Sequence, residues 1–600
     1  MIVRNALPFS AVSVLAAAFL ASPLHAQSSV LLDTMTAELN RAAASLGKNA
    51  PGKDSPAKDN NDARPPYYIS YAAHDTWAVL TGAEQGAILS SNADHARTAD
   101  IVVRVGDPIL DNTHGTHRTS AIRSVPLPLE DDPNAIANAL WRGTNSEYGN
   151  ALQTWLQVKT ESQVRAKEED TSPDFSPNFS KDSPDSTTTS LSVAPSGPTA
   201  PSNVDPGRLD PIHIDRDQWN ARVRALSVIF RDYPHVYSNL TIFSVQDDTG
   251  YFVSSEGARI VTPHQLARLV ILATTRAADG MDLFRAQTFE AKTADGLPSQ
   301  KDLEAAVRAL SVSLEQLRTA PNTQPFDGPA LLSGRASAVF FHEVLGHRLE
   351  GQRQRGDEEG QTFTKDIGKP ILPSFLSVAD DPTLATFDGT YLSGYYTYDD
   401  EGQRARKVEL IQDGVLKTFL MSRQPIASVS SSNGHGRSQP GQMPTGRQGN
   451  LIVTSTRTVP ESRLRQMLID EAKKQNKPYG LYFEDISSGF AVTTRNAPQA
   501  FQVIPLVVYR VYTDGRPDEL VRGVSIVGTP QAALNRILAT GDKREVFNGE
   551  CGAESGTIPV SAIAPAMLVS EIETQRQQQG TARPPILPPP TAINNSGEGR

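Results

Sequence analysis

Apolar residues along the chain fall into two kinds of run. Stretches 27–47, 134–158, 219–231, 263–278 and 301–317 read as helices. Short runs rich in β-branched and aromatic residues read as strands at 67–71, 101–105, 236–243 and 250–256. Further strands are predicted at 407–412, 451–454, 480–484 and 502–512, where helical spacing is scarce. The resulting fold class is α+β with two domains. The first, 65–320, is a mixed α/β domain with antiparallel strands. A linker at 321–328 leads into the second, 321–573, a strand-rich barrel-like or sandwich-like domain opened by a helix. Between the elements lie polar stretches: a Pro/Asp/Lys-rich linker closing 27–64, a Ser/Pro/Thr/Asp-rich insertion at 161–212, and a Gln/Pro-rich tail at 574–600. The insertion and the tail are expected to be disordered.

The N-terminus has a different pattern. Arg4 precedes an apolar run at 6–20, then come Pro23 and a small residue, Ala26. A charged start, a short apolar core and a small residue at the cut point read as a signal peptide over 1–26. The run is shorter than the ~20 residues a membrane span needs, so no stable membrane span is expected. A periplasmic or secreted protein follows, with an uncleaved anchor as the alternative.

Composition narrows the partners. The 600 residues are 38% hydrophobic and 21% charged, with a net charge of -10 and no basic block, so no nucleic-acid partner is expected. There is one cysteine, Cys551, so no internal disulfide is possible. A lone thiol in an oxidising compartment is a liability unless it is buried or bound to metal.

The candidate chemistry sits in the apolar stretch 336–351, which contains His342-Glu343-x-x-x-His347. Five residues of ideal helix turn about 500°, leaving the two rings ~140° apart. For both imidazoles to grip one ion, the helix must gain a residue, as in a π-bulge, or end between them. Gly346 is where a distorted backbone would meet least resistance. The plainer reading keeps His342 and Glu343 as partly buried helix residues, with His347 near the helix C-terminus.

With His347-Arg348-Leu349-Glu350-Gly351 following, the motif resembles the TldD/PmbA family of metallopeptidases, in its catalytic TldD-type branch. Further matches follow in order: Asp380-Asp381-Pro382, Asp399-Asp400-Glu401-Gly402, Gly414-Val415-Leu416, Arg447-Gln448-Gly449-Asn450 and Gly549-Glu550-Cys551-Gly552. The resemblance covers roughly 220–573. It implies Zn2+ held by His342, His347 and Cys551, with Glu343 as general base and acid toward a zinc-activated water. It also implies peptide substrates and a homodimer, or a heterodimer with a related subunit. The signal peptide, the insertion and the tail depart from the family pattern.

Other candidates are less sharply defined. His435, in Asn433-Gly434-His435-Gly436, and Arg447 with Asn450 are candidate substrate-binding residues, the alternative being turn and sheet structure. His114 and His117 read as a polar turn, and Asp399 with Asp400 as a hairpin turn. The functional expectation is an exported zinc peptidase acting on short or unfolded peptides. The alternatives are a non-catalytic PmbA-like partner subunit and a secreted binding protein with structural zinc.

Overall fold

The computed structural model describes residues 29–47, 64–164, 171–176, 213–355, 359–497 and 500–577. The predicted signal peptide, most of the 48–64 linker, most of the 161–212 insertion and nearly all of the tail lie outside the described residues.

The N-terminal half is one six-stranded antiparallel sheet covered on one face by four helices. Its strands are β1 (Tyr68–Glu84), β2 (Ala87–Arg104), β3 (Ile122–Pro126), β4 (Ser238–Ser254), β5 (Arg259–Arg276) and β6 (Asp282–Ala291), in the order β3-β2-β1-β4-β5-β6. Helices α1 (Val30–Ser45) and α2 (Pro133–Val164) close over β1 and β2, burying Leu31, Met35, Ile136 and Leu140 against Tyr71 and Ile101. Helices α3 (Arg216–Val228) and α4 (Gln300–Thr319) close over β4 and β5. There Trp219 stacks flat on Phe243 with ring centroids 3.5 Å apart. Asp215 and Ser299 cap α3 and α4 through their side chains, the boundary chemistry expected of a helix start.

The C-terminal half is built on one mixed sheet that closes on itself. Strand β7 (Phe326–Leu332) pairs with the 479–491 strand, which pairs with 501–512, which pairs with 524–528. The 524–528 strand pairs with 556–576, and 556–576 returns to β7. That ring of five strands makes the barrel. Outside it, the 556–576 strand also carries the antiparallel strand Ile537–Ala553 and a flap led by Asn450–Ser455 and β8 (Leu376–Asp380). Helix α5 (Gly334–Val344) lies against this sheet, with all of its residues except Arg335 buried.

Four expectations are corrected. The stretch 263–278 is strand, not helix. Ala267, Leu269, Ile271 and Ala273 face the helices, while the alternate positions are half-buried, so no clean alternation shows. The 321–328 linker ends at Phe326, and the half opens with β7 rather than with a helix. The 161–212 segment is not uniformly structureless. Helix α2 runs on to Val164, and Thr171–Ser176 packs between the two halves with Ser172, Asp174, Phe175 and Ser176 buried. At the other end the last strand continues to Arg576, three residues past the predicted end of the domain at 573.

Candidate metal centre

Helix α5 starts at Ser333, whose hydroxyl accepts from the amide of Ala336 at 3.0 Å. It stops at Val344, between the two motif histidines. The chain then makes a tighter 3-10 turn, Gly346–Leu349, which carries His347. Of the two routes open to the motif, the helix ends rather than bulging. Arg348 helps to end it: its Nη1 donates to the carbonyls of Glu343 at 3.2 Å and Val344 at 3.1 Å. These are the carbonyls that a helix C-terminus leaves without partners, and a cation is favoured there.

Gly346 is required for a reason other than backbone freedom. A Cβ there would lie 1.9 Å from Oε1 of Gln448, whose amide donates to the His342 carbonyl at 3.5 Å. Gln448 is fully buried and has nowhere to swing. Gly346→Ala should therefore destabilise the protein by about 1–3 kcal/mol, as overpacked cores do. Adding Gln448→Ala should return much of that loss. Denaturant titration of the two variants and the double variant checks this; strict additivity would mean that the clash is not the cause.

The termination brings the two rings together, with centroids 5.0 Å apart and planes crossed at 79°. The third partner arrives on the Ile537–Ala553 strand, close to its turn into the final strand. Cys551 Sγ lies 3.5 Å from His347 Nε2, and candidate donor atoms of His342, His347 and Cys551 all lie within 4.8 Å of one another. All three residues are buried.

The donors suit zinc. Zinc–nitrogen bonds of ~2.05 Å and a zinc–sulfur bond of ~2.3 Å at tetrahedral angles put nitrogen and sulfur about 3.6 Å apart. The observed separation of 3.5 Å matches this. Nδ1 of His342 is buried with no hydrogen-bond partner among the described residues, a polar atom that a cation's coordination would account for. Burial alone would raise the Cys551 thiol, but the imidazoles of His347 and His342 draw it well below its usual range. Burial alone would lower His347, but Cys551 and Glu350 hold it well above its usual range. The protein part of the site thus favours a thiolate, the form that binds metal.

Around these three, the chain fixes orientation. Glu350 sits fully buried, 3.2 Å from His347 Nδ1 through Oε1. Its other oxygen is 3.2 Å from Arg353, and Arg447 Nε approaches Oε1 at 3.5 Å. Burial opposes ionisation of Glu350, yet His347, Arg353 and Arg447 push it down to about 2. A carboxylate on Nδ1 leaves Nε2 turned toward Cys551, the arrangement that selects the ligating nitrogen. Sequence reasoning matched Glu350 to a motif without giving it a role. Its spacing, three residues after His347 in a turn, was the available signal.

Arg447 proves to be internal. Its Nη2 donates to the Cys551 carbonyl at 2.7 Å, and its Nη1 donates to Ser555 Oγ at 2.8 Å, holding the hairpin that presents the thiol. Asn450 Nδ2 donates to the carbonyls of Asp381 and Leu384, both at 2.9 Å. His435 is wedged between Asp380 at 3.3 Å and the Asn433 carbonyl at 3.2 Å. All three are fully buried and none lines the described cavity; their contacts fit the turn-and-sheet alternative rather than substrate binding for His435, Arg447 and Asn450. His114 pairs with Asp174 at 2.9 Å and is far from being a ligand cluster with His117. Asp399 accepts from the amides of Glu401, Gln403 and Gly436, which makes its turn structural.

Glu343 faces the open side. Its Oε2 lies 3.8 Å from His347 Nε2, and its Cγ would be 2.7 Å from a Cβ at Gly489, so the backbone there must be glycine. A cavity of about 550 Å³ opens onto Glu343, His342, His347 and Cys551. Its far wall comes from the N-terminal sheet through Arg268, Val270 and Glu290. Arg268 ties the two halves together there, reaching Glu550 at 2.5 Å and Glu290 at 2.6 Å.

A family model, the PmbA/TldA metallopeptidase C-terminal domain, matches residues 326–576, the whole of the ring and its flap. Residues 326–576 thus carry the PmbA/TldD C-terminal domain, and the chain is similar to TldD/PmbA metallopeptidases. Among its relatives, an Archaeoglobus fulgidus protein named a metalloprotease is 28% identical over 239 residues, covering 40% of this chain and 51% of that protein. A Saccharolobus solfataricus protein named a zinc metalloprotease TldD homolog is 26% identical over 250 residues, covering 41% and 51%. The matched stretch therefore spans about half the length of each of these family members. The fold likeness reaches further: TldE from Thermococcus kodakarensis superposes with a TM-score of 0.53 at 13% identity, covering 85% of this chain and 97% of that one. The N-terminal sheet is thus part of the shared fold, even though sequence resemblance before β7 is faint.

Proposed function

We propose that this protein is an exported zinc-dependent peptidase of the TldD type, hydrolysing short or unfolded peptides. One observation carries the reading: three zinc-type donors within 4.8 Å of one another, beside a carboxylate, at the floor of a cavity. His342, His347 and Cys551 would hold the ion, and bound there it would supply an acidified water and polarise a substrate carbonyl. Glu343 takes the proton from the attacking water and returns it to the departing amine. Glu350 and Arg447 hold His347 and Cys551 in place. The cavity lies between the two halves, which favours an extended, flexible peptide over a folded protein.

Export rests on the sequence at 1–26, and a periplasmic or secreted location agrees with a lone thiol kept by a metal. No helix among the described residues is long and apolar enough to cross a membrane. Pairing with a second copy or a related subunit is part of the proposal. A structural zinc site usually has four protein ligands, and three are gathered among the described residues, which favours the enzyme over a binding protein. A non-catalytic partner subunit has no use for the donor set.

The test is metal removal. Chelator treatment of the full chain should abolish cleavage of unstructured peptides, and one equivalent of zinc should restore it. Full zinc occupancy without any cleavage would overturn the enzyme reading in favour of a binding or partner role.

A further inference from the structure

Inside the polar insertion, Thr171-Ser172-Pro173-Asp174-Phe175-Ser176 is bound as a ligand would be. Asp174 touches both halves. Its Oδ2 accepts from the Asp111 amide at 2.9 Å on the N-terminal side, and its Oδ1 accepts from Arg355 Nη2 at 2.8 Å on the C-terminal side. Arg355 also donates to the carbonyls of Pro173 at 2.9 Å and Ser172 at 3.3 Å. The Phe175 ring lies between two guanidiniums, Arg104 of β2 at 4.1 Å and Arg423 at 3.9 Å, and packs on Tyr68 at 4.7 Å. Arg423 then grips the next residue: its Nη2 donates to the Ser176 carbonyl at 2.7 Å, and its own carbonyl accepts from the Ser176 amide at 2.8 Å. A polar insertion with no task would leave its aromatic residue and its carboxylate in water, because ordering chain costs conformational entropy.

The segment reaches the metal centre through a short path. Arg355 closes the stretch that begins at His347. Within it, Gln354 Nε2 donates to the Arg348 carbonyl at 2.8 Å, and Arg353 holds the Glu350 carboxylate that faces His347. Arg348 caps the end of α5 at Glu343 and Val344. The cavity has walls from both halves, so whatever fixes the two halves to each other also fixes the cavity.

We propose that Ser172–Ser176 is a built-in strap, a docked acidic-aromatic motif that locks the two halves together and positions the His347–Arg355 stretch. Asp174 and Phe175 are its positioning residues. They act through Arg355, Arg104 and Arg423 and touch no reacting atom. The effect on turnover rests on the peptidase reading above; the effect on local opening does not.

The test is hydrogen–deuterium exchange on the full chain carrying Asp174→Asn, with Asp174→Asn/Phe175→Ala as the stronger variant. Amide exchange within 347–355 and 422–424 should quicken by about tenfold or more, while the distant helix α4 keeps its protection. A synthetic Thr-Ser-Pro-Asp-Phe-Ser peptide at millimolar concentration should slow that exchange again in the double variant, and Asp174→Glu should stay closer to the parent. If the protein cleaves peptides, kcat should fall about tenfold with KM little changed, since small misplacements of reacting groups cost at least that much. Unchanged exchange at 347–355 in Asp174→Asn, or loosening spread equally over the whole chain, would overturn the strap. Altered exchange in a protein that cleaves nothing would uphold the strap and sink the peptidase.

Discussion

Glu343→Gln should keep its zinc and lose turnover by about 10²- to 10⁴-fold, the usual worth of a positioned general base. The side chain sits in the last turn of α5, next in sequence to His342 and 3.8 Å from His347 Nε2. Glutamine has the same shape, so it can fill the space against Gly489 without disturbing the three donors. It cannot accept a proton. Single-turnover cleavage and metal analysis on the same preparation separate the outcomes. Zinc lost together with activity would make Glu343 a ligand. Undiminished activity would place the base elsewhere in the cavity.

Glu350→Gln should be the most damaging change outside Glu343. Its charge is buried beside His347, Arg353 and Arg447, and taking one partner from such a group costs about 3–5 kcal/mol, because cations stay behind in a dry place. The same substitution removes the carboxylate that fixes the His347 ring, and losses of that kind weaken metal binding by roughly 10- to 100-fold. Competitive zinc titration and thermal unfolding should therefore change together. Parent-like affinity would show that His347 is held by its backbone turn alone. The arginines in this cluster also explain why the site tolerates so much buried charge: Arg353 reaches the carboxylates of Glu350, Glu359 and Glu554, and Arg447 also donates to the carbonyls of Cys551 and Gly556.

The three residues that the fold gathers as candidate donors were each named from the sequence. The family resemblance picked out His342, His347 and the single thiol, and the spacing of the two histidines required a break in the helix if both rings were to share one ion. The geometry of that break was less legible. Gly346 invites a backbone explanation, but what it avoids is the buried Gln448 side chain, a neighbour far away in sequence. Arg447, Asn450 and His435 misled for a related reason. Polar side chains in glycine-rich loops look solvated, and only the folded chain shows that the arginine ends on the carbonyl of Cys551. Among the secondary elements, α1, α2, α3 and α4 carried their own helical patterns. The 263–278 stretch did not declare itself, since Leu, Ala, Arg and Gln favour helix and burial on both faces of β5 hides the alternation of a strand. The barrel-like expectation for the second half was nearer, but closure depends on Phe326–Leu332, a stretch read partly as linker and partly as the opening of a helix.

The ring of strands sets an order of events. Its first member, Phe326–Leu332, finds a neighbour in Gly556–Arg576, almost the last described stretch of the polypeptide. Pairings this distant close late, because the intervening loop must first be drawn together. The cysteine sits just before that final strand, so no competent cradle for a cation exists on a partly made or partly threaded chain. Wherever the last strand docks is therefore where all three donors can first meet one cation.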